Sequence, residues 1–179
     1  MKYFLGYSLE GEARWYHEEL TRELSEKFTV KDLNNFIPPH ITIIRPFEAP
    51  DILLSKIESI LETVCRSIKP FTLQVNGFMH FGKTTIGLKI ETTRYGLQAL
   101  QKITKKSAAL LDSDTGYLLS SSRLHASVAR YLSSDEFKKL WEFISKKQPP
   151  YFALLCNHIT IFEYIDHKWV VYAHYKIGK

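Results

Sequence analysis

The sequence predicts an α+β fold in which short strands alternate with amphipathic helices. Three observations support this class: β-prone runs bounded by proline and glycine, helical periodicity between them, and a repeated order of elements. The chain has 179 residues, 45% hydrophobic and 24% charged, which is typical of a globular protein. We therefore expect residues 1–179 to form a single domain with two interleaved lobes.

The first half of the chain begins with a buried strand and ends in a hairpin. Predicted strands cover residues 2–8, 40–45, 71–81 and 85–91, and predicted helices cover residues 12–27 and 51–66. Pro38 and Pro39 precede the second strand, and Asp51 is placed as the N-cap of the second helix. The turn at residues 82–84 joins the two hairpin strands.

The second half repeats this order: helix, loop, histidine-bearing strand, helix, hairpin. Predicted helices cover residues 94–111 and 134–147, the second capped by Ser133 or Ser134, and predicted strands cover 124–131, 151–164 and 168–176. Residues 71–76 and 152–157 also have similar sequences, and each run closely follows a proline. We expect an internal repeat that relates the two halves.

Composition excludes several classes of protein. No run approaches the eighteen or so apolar residues of a membrane span, and the apolar N-terminal run is too short for a signal peptide, so we expect a cytoplasmic protein. Cys65 and Cys156 are then small core residues rather than a disulfide or a zinc site. The net charge of +5 suits a phosphate-bearing partner but does not diagnose nucleic-acid binding.

Three H-x-[ST] tripeptides begin at His40, His125 and His158. In a strand, residues two apart share a face, so each histidine would point the same way as its hydroxyl partner. His40 and His125 occupy equivalent places in the two halves, and each motif continues to an arginine, in H-I-T-I-I-R and H-A-S-V-A-R. His158 has no such arginine and aligns with Gly77, so we interpret it as a hydrogen-bonded or partly exposed structural residue.

The run P-P-H-I-T-I-I-R-P-F, followed later by L-H-A-S-V-A-R, resembles the 2H phosphoesterase superfamily. This group contains the RNA 2′,3′-cyclic phosphodiesterases once named 2′-5′ RNA ligases, and the similarity is strongest to its bacterial phosphoesterase branch. It covers nearly the whole chain. Two features depart from the family pattern: Leu124 stands where a proline often precedes the second histidine, and Ser127 replaces threonine. The resemblance implies a bilobal, pseudo-twofold fold with antiparallel sheets facing a central cleft and helices outside.

Cleavage of a phosphodiester needs one group to take a proton and another to give one, and histidine can do either near neutral pH. The resemblance assigns water activation to His125 and protonation of the leaving oxygen to His40, whereas the residues alone leave the direction open. Thr42 and Ser127 would donate to the non-bridging phosphate oxygens.

Arg45 and Arg130 would add positive charge suited to phosphate. Their distance from the histidines creates a parity problem. Five positions along a regular strand lead to the opposite face, so a bulge or a strand end is needed to bring either arginine to the histidine side.

We expect no metal and no cofactor, because acidic residues do not cluster near the motifs and H-x-[ST] is not a chelating spacing. His17 is expected to be exposed on its helix. The remaining histidines are expected at the surface or at sheet edges: His80, His167 and His174. Phe47 and Tyr131 are candidates for stacking on a nucleobase.

Three functions compete. The favoured one is hydrolysis of a 2′,3′-cyclic phosphate, on an RNA end or a nucleotide, to a 2′-phosphomonoester, with reverse 2′-5′ ligation implied by the resemblance. The second is cleavage of 2′-5′ linked oligonucleotides or another small cyclic phosphate. The third is an RNA-binding module without turnover. The expected partner is RNA or a nucleotide bearing a cyclic phosphate, with no membrane, and we expect a monomer.

Overall fold

The computed structural model describes residues 1–111 and 124–178, and within them it shows two four-stranded antiparallel sheets and four α-helices. The strands are β1 Lys2–Ser8, β2 His40–Glu48, β3 Phe71–Phe81, β4 Thr85–Thr92, β5 His125–Arg130, β6 Tyr151–Cys156, β7 His158–Ile165 and β8 Lys168–Lys176. The helices are α1 Gly11–Phe28, α2 Asp51–Arg66, α3 Arg94–Ala108 and α4 Ser134–Ile144. The predicted α+β class is confirmed. The predicted loop at 112–123 lies outside the described residues.

The two sheets have matching strand orders. The first sheet runs β2-β1-β7-β8 and the second runs β5-β4-β3-β6, with every neighbouring pair antiparallel. In each sheet the strand that carries an H-x-[ST]-x-x-R motif lies at the edge, and its neighbour is the strand that precedes it in the chain. The motif strands β2 and β5 therefore occupy equivalent positions.

The sequence predicted one strand over residues 151–164, but the structure has two strands there. The chain breaks at Asn157 into β6, which belongs to the second sheet, and β7, which belongs to the first. The similar runs in β3 and β6 pair directly with each other, with Phe71 opposite Cys156, so they are neighbours within one sheet. By position in the sheet, β7 is the counterpart of β3. The alignment of these runs as equivalents in two halves was therefore wrong.

The helix ends differ from the predicted ones at several points, among them the end of α4 at Ile144 rather than at 147. Pro50 is the N-cap of α2, and Asp51 is the first helical residue, where its charge favours the helix dipole without a capping hydrogen bond. The predicted helix from 94 to 111 ends earlier, at Ala108. Ser133 caps α4 as predicted, in a capping box with Glu136.

Helix α1 connects the two sheets. It leaves β1 of the first sheet but packs against β5 and β6 of the second sheet and against α4. The apolar faces of the helices and the inner faces of both sheets form one buried core, which includes Cys65 and Cys156 as free thiols. None of the described helices combines the length and apolarity needed to cross a membrane.

Candidate active site

A pocket with a volume of about 770 Å³ contains all six residues that the motifs predicted. The contribution of β2 is His40, Thr42 and Arg45, and that of β5 is His125, Ser127 and Arg130. The other lining residues are Phe4, Ile37, Ile43, Pro46, Phe81, Thr85, Tyr131 and Trp169. None of these described lining residues is acidic. The two motifs thus face one pocket from edge strands of different sheets.

A β-bulge in each motif strand resolves the parity problem of the arginines. In the first sheet Gly6 pairs with Thr42, but the next residue back, Leu5, pairs with Ile44, so Ile43 is an extra residue. One additional residue reverses the alternation of faces from that point. Arg45 therefore returns to the side of its histidine.

The second sheet repeats this irregularity at the same place in its motif. Gly87 pairs with Ser127 and Ile86 pairs with Ala129, which leaves Val128 as the extra residue. Burial along the two motifs is identical: the histidine and hydroxyl are half-buried, the residues between and after them are buried, and the arginine is exposed.

A glycine stands opposite the hydroxyl residue of each motif. A Cβ atom on Gly6 would lie 2.8 Å from the carbonyl oxygen of Ile41, and one on Gly87 would lie 2.8 Å from that of Ala126. Both contacts are with backbone, which cannot swing aside as a side chain would. The sequence analysis missed these glycines, although a glycine inside a predicted strand is a known signal of a bulge or a close backbone approach.

His40 is held as a neutral imidazole with a defined tautomer. Its Nδ1 lies 2.8 Å from the carbonyl oxygen of Pro38, so Nδ1 donates and Nε2 carries the lone pair. The ring packs 4.8 Å from that of Phe4. Burial lowers the pKa of His40 to about 3, and the electrostatic effects of His17, Arg130 and His125 act in the same direction.

The second motif has aromatic neighbours. The His125 ring lies 4.5 Å from the Phe81 ring, and both line the pocket. Arg130 is exposed, with its guanidinium 5.0 Å from the centre of the Tyr131 ring. Tyr131 is 78% exposed and has a φ of 60°, a left-handed conformation that is strained for a tyrosine.

His17 is buried, only 3% exposed, and the prediction that it is exposed was wrong. It lies on α1, and its Nε2 is 2.8 Å from the carbonyl oxygen of Ser127, so Nε2 donates. Burial lowers the pKa of His17 to about 4, which keeps the ring neutral near pH 7. A signal was available in the sequence, because His17 falls on the apolar helical stripe formed with Ala13, Leu20 and Leu24.

His158 lies outside this pocket. It is buried in β7, its Nδ1 is 2.7 Å from Oδ1 of Asn157, and its ring packs against those of Tyr7 and His174. This agrees with the prediction of a hydrogen-bonded strand residue. The surface prediction is also confirmed for the last group of histidines, which are exposed: His80, His167 and His174.

The two aromatic candidates differ in placement. Tyr131 lines the pocket, as stacking would require. Phe47 is 6% exposed and packs in the core against Tyr3, so its prediction as a stacking residue was wrong.

Within residues 1–111 and 124–178, no group of three or more His, Cys, Asp or Glu side chains is arranged to hold a metal ion. The pocket combines two imidazoles, two hydroxyls and two guanidiniums, a set suited to an anion that undergoes proton transfer.

The sequence of the chain matches a known family and curated proteins. The family model described as the 2′-5′ RNA ligase superfamily matches residues 12–168. A provisionally named phosphoesterase of Bacillus licheniformis is 24% identical over 144 residues, which is 79% of this chain and 82% of that protein. Another, of Bacillus cytotoxicus, is 26% identical over 145 residues, which is 80% of this chain and 81% of that protein.

Solved structures share the fold at low sequence identity. TT0787 of Thermus thermophilus aligns with a TM-score of 0.70 and 15% identity, covering 100% of both chains. E. coli LigT complexed with NADP+ aligns with a TM-score of 0.63 and 12% identity, covering 99% of this chain and 98% of that one. LigT complexed with 3′-AMP gives the same TM-score, 0.63, at 13% identity and with the same coverage, 99% and 98%.

Proposed function

This chain belongs to the 2′-5′ RNA ligase superfamily, and from that premise we propose that it hydrolyses 2′,3′-cyclic phosphates, on RNA ends or nucleotides, to 2′-phosphomonoesters without a metal. Membership agrees with the 2H resemblance and makes the chain an enzyme of phosphodiester chemistry. One observation carries the finer proposal: a histidine, a hydroxyl and an arginine from each of two sheets line one pocket that has no acidic residue among its described lining residues.

The reaction requires two proton transfers. Water attacks phosphorus as a base takes one of its protons, and the bond from phosphorus to O3′ breaks as an acid protonates that oxygen. The phosphate then remains on O2′. His40 and His125 come from different sheets and line one pocket, and we assign one of these roles to each of them. Histidine needs no metal to perform either step.

His40 is the better candidate for the base. Its Nδ1 hydrogen bonds the carbonyl oxygen of Pro38, which leaves the Nε2 lone pair as its acceptor. His125 would then supply the proton to O3′. This direction is the reverse of the one that the family resemblance implied.

The remaining polar groups of the pocket would stabilise charge on phosphorus. The hydroxyls of Thr42 and Ser127 can donate to non-bridging oxygens, whose negative charge increases in the transition state. Arg45 and Arg130 lie on the same side as these hydroxyls because of the bulges, and guanidinium matches phosphate geometry. Removal of one such donor typically costs about 100-fold or more in rate.

The shape of the pocket favours a nucleotide over a small phosphate ester. Its volume of about 770 Å³ far exceeds what a phosphate needs, and its walls include the rings of Phe81, Tyr131 and Trp169. Aromatic walls beside an anion site suit a nucleobase. LigT, which shares the fold, has been solved in complex with 3′-AMP and with NADP+.

The experiment compares the wild type with His40→Asn, His125→Asn and His158→Gln. Substrates are 2′,3′-cyclic AMP and an RNA oligonucleotide ending in a cyclic phosphate, both assayed in EDTA, with ³¹P NMR to distinguish a 2′- from a 3′-phosphomonoester. Asparagine at position 40 keeps a donor for Pro38 and removes only the Nε2 function. We expect both motif variants to lose turnover and His158→Gln, the matched third H-x-[ST] histidine, to keep it.

Each alternative has its own outcome. Full activity in either motif variant contradicts the two-histidine assignment, and activity lost with chelator contradicts the metal-free reaction. Cleavage of 2′-5′ linked oligonucleotides alone identifies the second candidate, and RNA binding without any turnover identifies the third. For the direction of transfer, thymidine 3′-(p-nitrophenyl phosphate) is informative, because its leaving group needs no proton. His125→Asn should retain activity on it, whereas His40→Asn should not.

A further inference from the structure

A buried histidine outside the pocket contacts the backbone of the second motif. His17, on α1, donates from Nε2 to the carbonyl oxygen of Ser127 at 2.8 Å. Its other ring nitrogen, Nδ1, lies 3.5 Å from the hydroxyl of Thr21, one helical turn further along α1. Because the Ser127 carbonyl can only accept, this contact fixes which ring nitrogen carries the hydrogen.

The hydrogen bond from His17 reaches an edge strand at a point where its pairing with the neighbouring strand is interrupted. The strand β5 is at the edge of the second sheet, and among the described strands it pairs with β4 alone. The ladder between them is interrupted directly after Ser127, where Val128 is the extra residue. A bulge leaves a strand locally less constrained by its neighbour. His17 supplies a contact from another element at the point where the ladder is interrupted.

The same turn of α1 also contacts the segment that leads into the first motif. The carbonyl of Glu18, next to His17, accepts a hydrogen bond from Nδ2 of Asn34 at 2.9 Å. The amide of Leu9, just before α1, donates to the carbonyl of Pro39 at 2.9 Å. Neighbouring residues of one helix therefore contact the second motif and the segment that leads into the first.

We infer that His17 is a positioning residue for the second motif: its hydrogen bond to the Ser127 carbonyl holds β5 where the bulge begins, which fixes the Ser127 hydroxyl and, through the bulge, Arg130 on the pocket side. His17 is not one of the described residues that line the pocket, so its effect on the reaction passes through Ser127. The kinetic part of this inference rests on the proposed hydrolysis of cyclic phosphates.

The test compares His17→Leu, which removes the donor, with His17→Gln, which can offer an amide hydrogen at a similar reach. A third variant, Leu24→Ala, opens a cavity at a fully buried position of the same helix, two turns beyond His17. All are assayed with 2′,3′-cyclic AMP at a temperature where circular dichroism shows them folded.

We expect His17→Leu to lower kcat by about 10- to 100-fold, since a displacement of about 1 Å at reacting groups has that effect, with a smaller change in KM. His17→Gln should recover most of the lost rate. Leu24→Ala should lower the melting temperature and leave kcat unchanged. Unchanged kcat in His17→Leu, an equal loss in His17→Gln, or an equal loss in Leu24→Ala would each overturn the inference.

A second measurement separates this inference from the proposed function. Inorganic phosphate is titrated against each ¹⁵N-labelled variant, and the amide signals of Ser127 and Arg130 are followed by NMR. If the wild type turns over no cyclic phosphate, the proposed function fails. The positioning role is then still decided here: it holds if phosphate shifts these signals in the wild type and in His17→Gln but not in His17→Leu, and it fails if all three respond alike.

Discussion

Substitution of Gly87 by alanine should reduce both stability and rate through a single steric contact. The added Cβ would lie 2.8 Å from the carbonyl oxygen of Ala126, 3.3 Å from its carbonyl carbon and 3.4 Å from the Cα of Ser127. All three neighbours are backbone of β5, so the strand itself must move away from β4. The residue that moves with it is Ser127, whose hydroxyl faces the pocket.

The size of the effect follows from that distance. Ordinary contact begins at 3.4 Å, so β5 must shift by about 0.6 Å. Overpacking of this kind costs about 1–3 kcal/mol, and the less flexible unfolded chain offsets about 0.4–1 kcal/mol, which leaves a net loss of about 1–2 kcal/mol in the free energy of unfolding. If 1 Å of misplacement costs about 100-fold, a shift of this size should lower kcat by about 10-fold.

The assay measures urea unfolding and turnover of 2′,3′-cyclic AMP for Gly87→Ala and for its counterpart in the first sheet, Gly6→Ala. Gly11→Ala is the control, since Gly11 has a φ of 56° with no described atom within 4 Å of an added Cβ. It should lose stability from backbone strain alone and keep its rate. Wild-type stability and rate in Gly87→Ala would refute the steric argument. Equal loss of rate in Gly11→Ala would show that stability, rather than the position of Ser127, determines turnover.

Three further predictions concern pH, an exposed ring and a helix cap. Burial lowers the pKa of His17 to about 4 and of His40 to about 3, from 6.5, so the unfolded chain binds these protons more tightly. The free energy of unfolding should therefore fall as pH decreases below about 6.5 toward 4, and urea curves that do not change with pH would contradict this. Tyr131→Gly removes left-handed strain of about 1–2 kcal/mol against a glycine entropy cost of about 0.5–1 kcal/mol, so stability should hold or rise slightly. Its KM for 2′,3′-cyclic AMP should rise while its KM for a cyclic phosphate without a base stays constant. Ser133→Ala removes the capping box with Glu136 and should cost about 1 kcal/mol in urea unfolding without a change in kcat.

The local sequence pattern was sufficient to predict most helices and strands and the six motif residues that line the pocket. Periodicity of 3.6 located the helices, and β-prone runs between proline and glycine located nearly all the strands, including β1, which is buried on both faces. The repeated motif identified His40 and His125 and set His158 aside, and the pocket contains the first two and not the third. The break at Asn157 was missed because β6 and β7 are both apolar runs, and only their different sheet partners separate them.

The features that could not be predicted from the sequence depend on which helices and strands pack against each other. The apolar stripe of α1 indicates that His17 is buried, but its contact with Ser127 follows from the packing of α1 against the second sheet, which helical periodicity does not specify. The bulge at Val128 is a property of two strands together, since it exists only relative to the register of β4. Strand alternation and the position of Arg130 predicted that a bulge or a strand end is required, but not at which residue it occurs.

The matching bulges mean that the two motifs are constrained in length more than in composition. Their intervening residues differ throughout: isoleucine against alanine at the second position, isoleucine against valine at the fourth, isoleucine against alanine at the fifth. A substitution there changes packing and leaves the direction of every later side chain as it was. Deletion of Val128 would instead restore a regular ladder and turn Arg130 toward the opposite face. Conservative replacements at the buried positions that separate the histidine from the arginine are therefore tolerable in this protein. Insertion or deletion of one residue there would instead point the guanidinium away from the pocket.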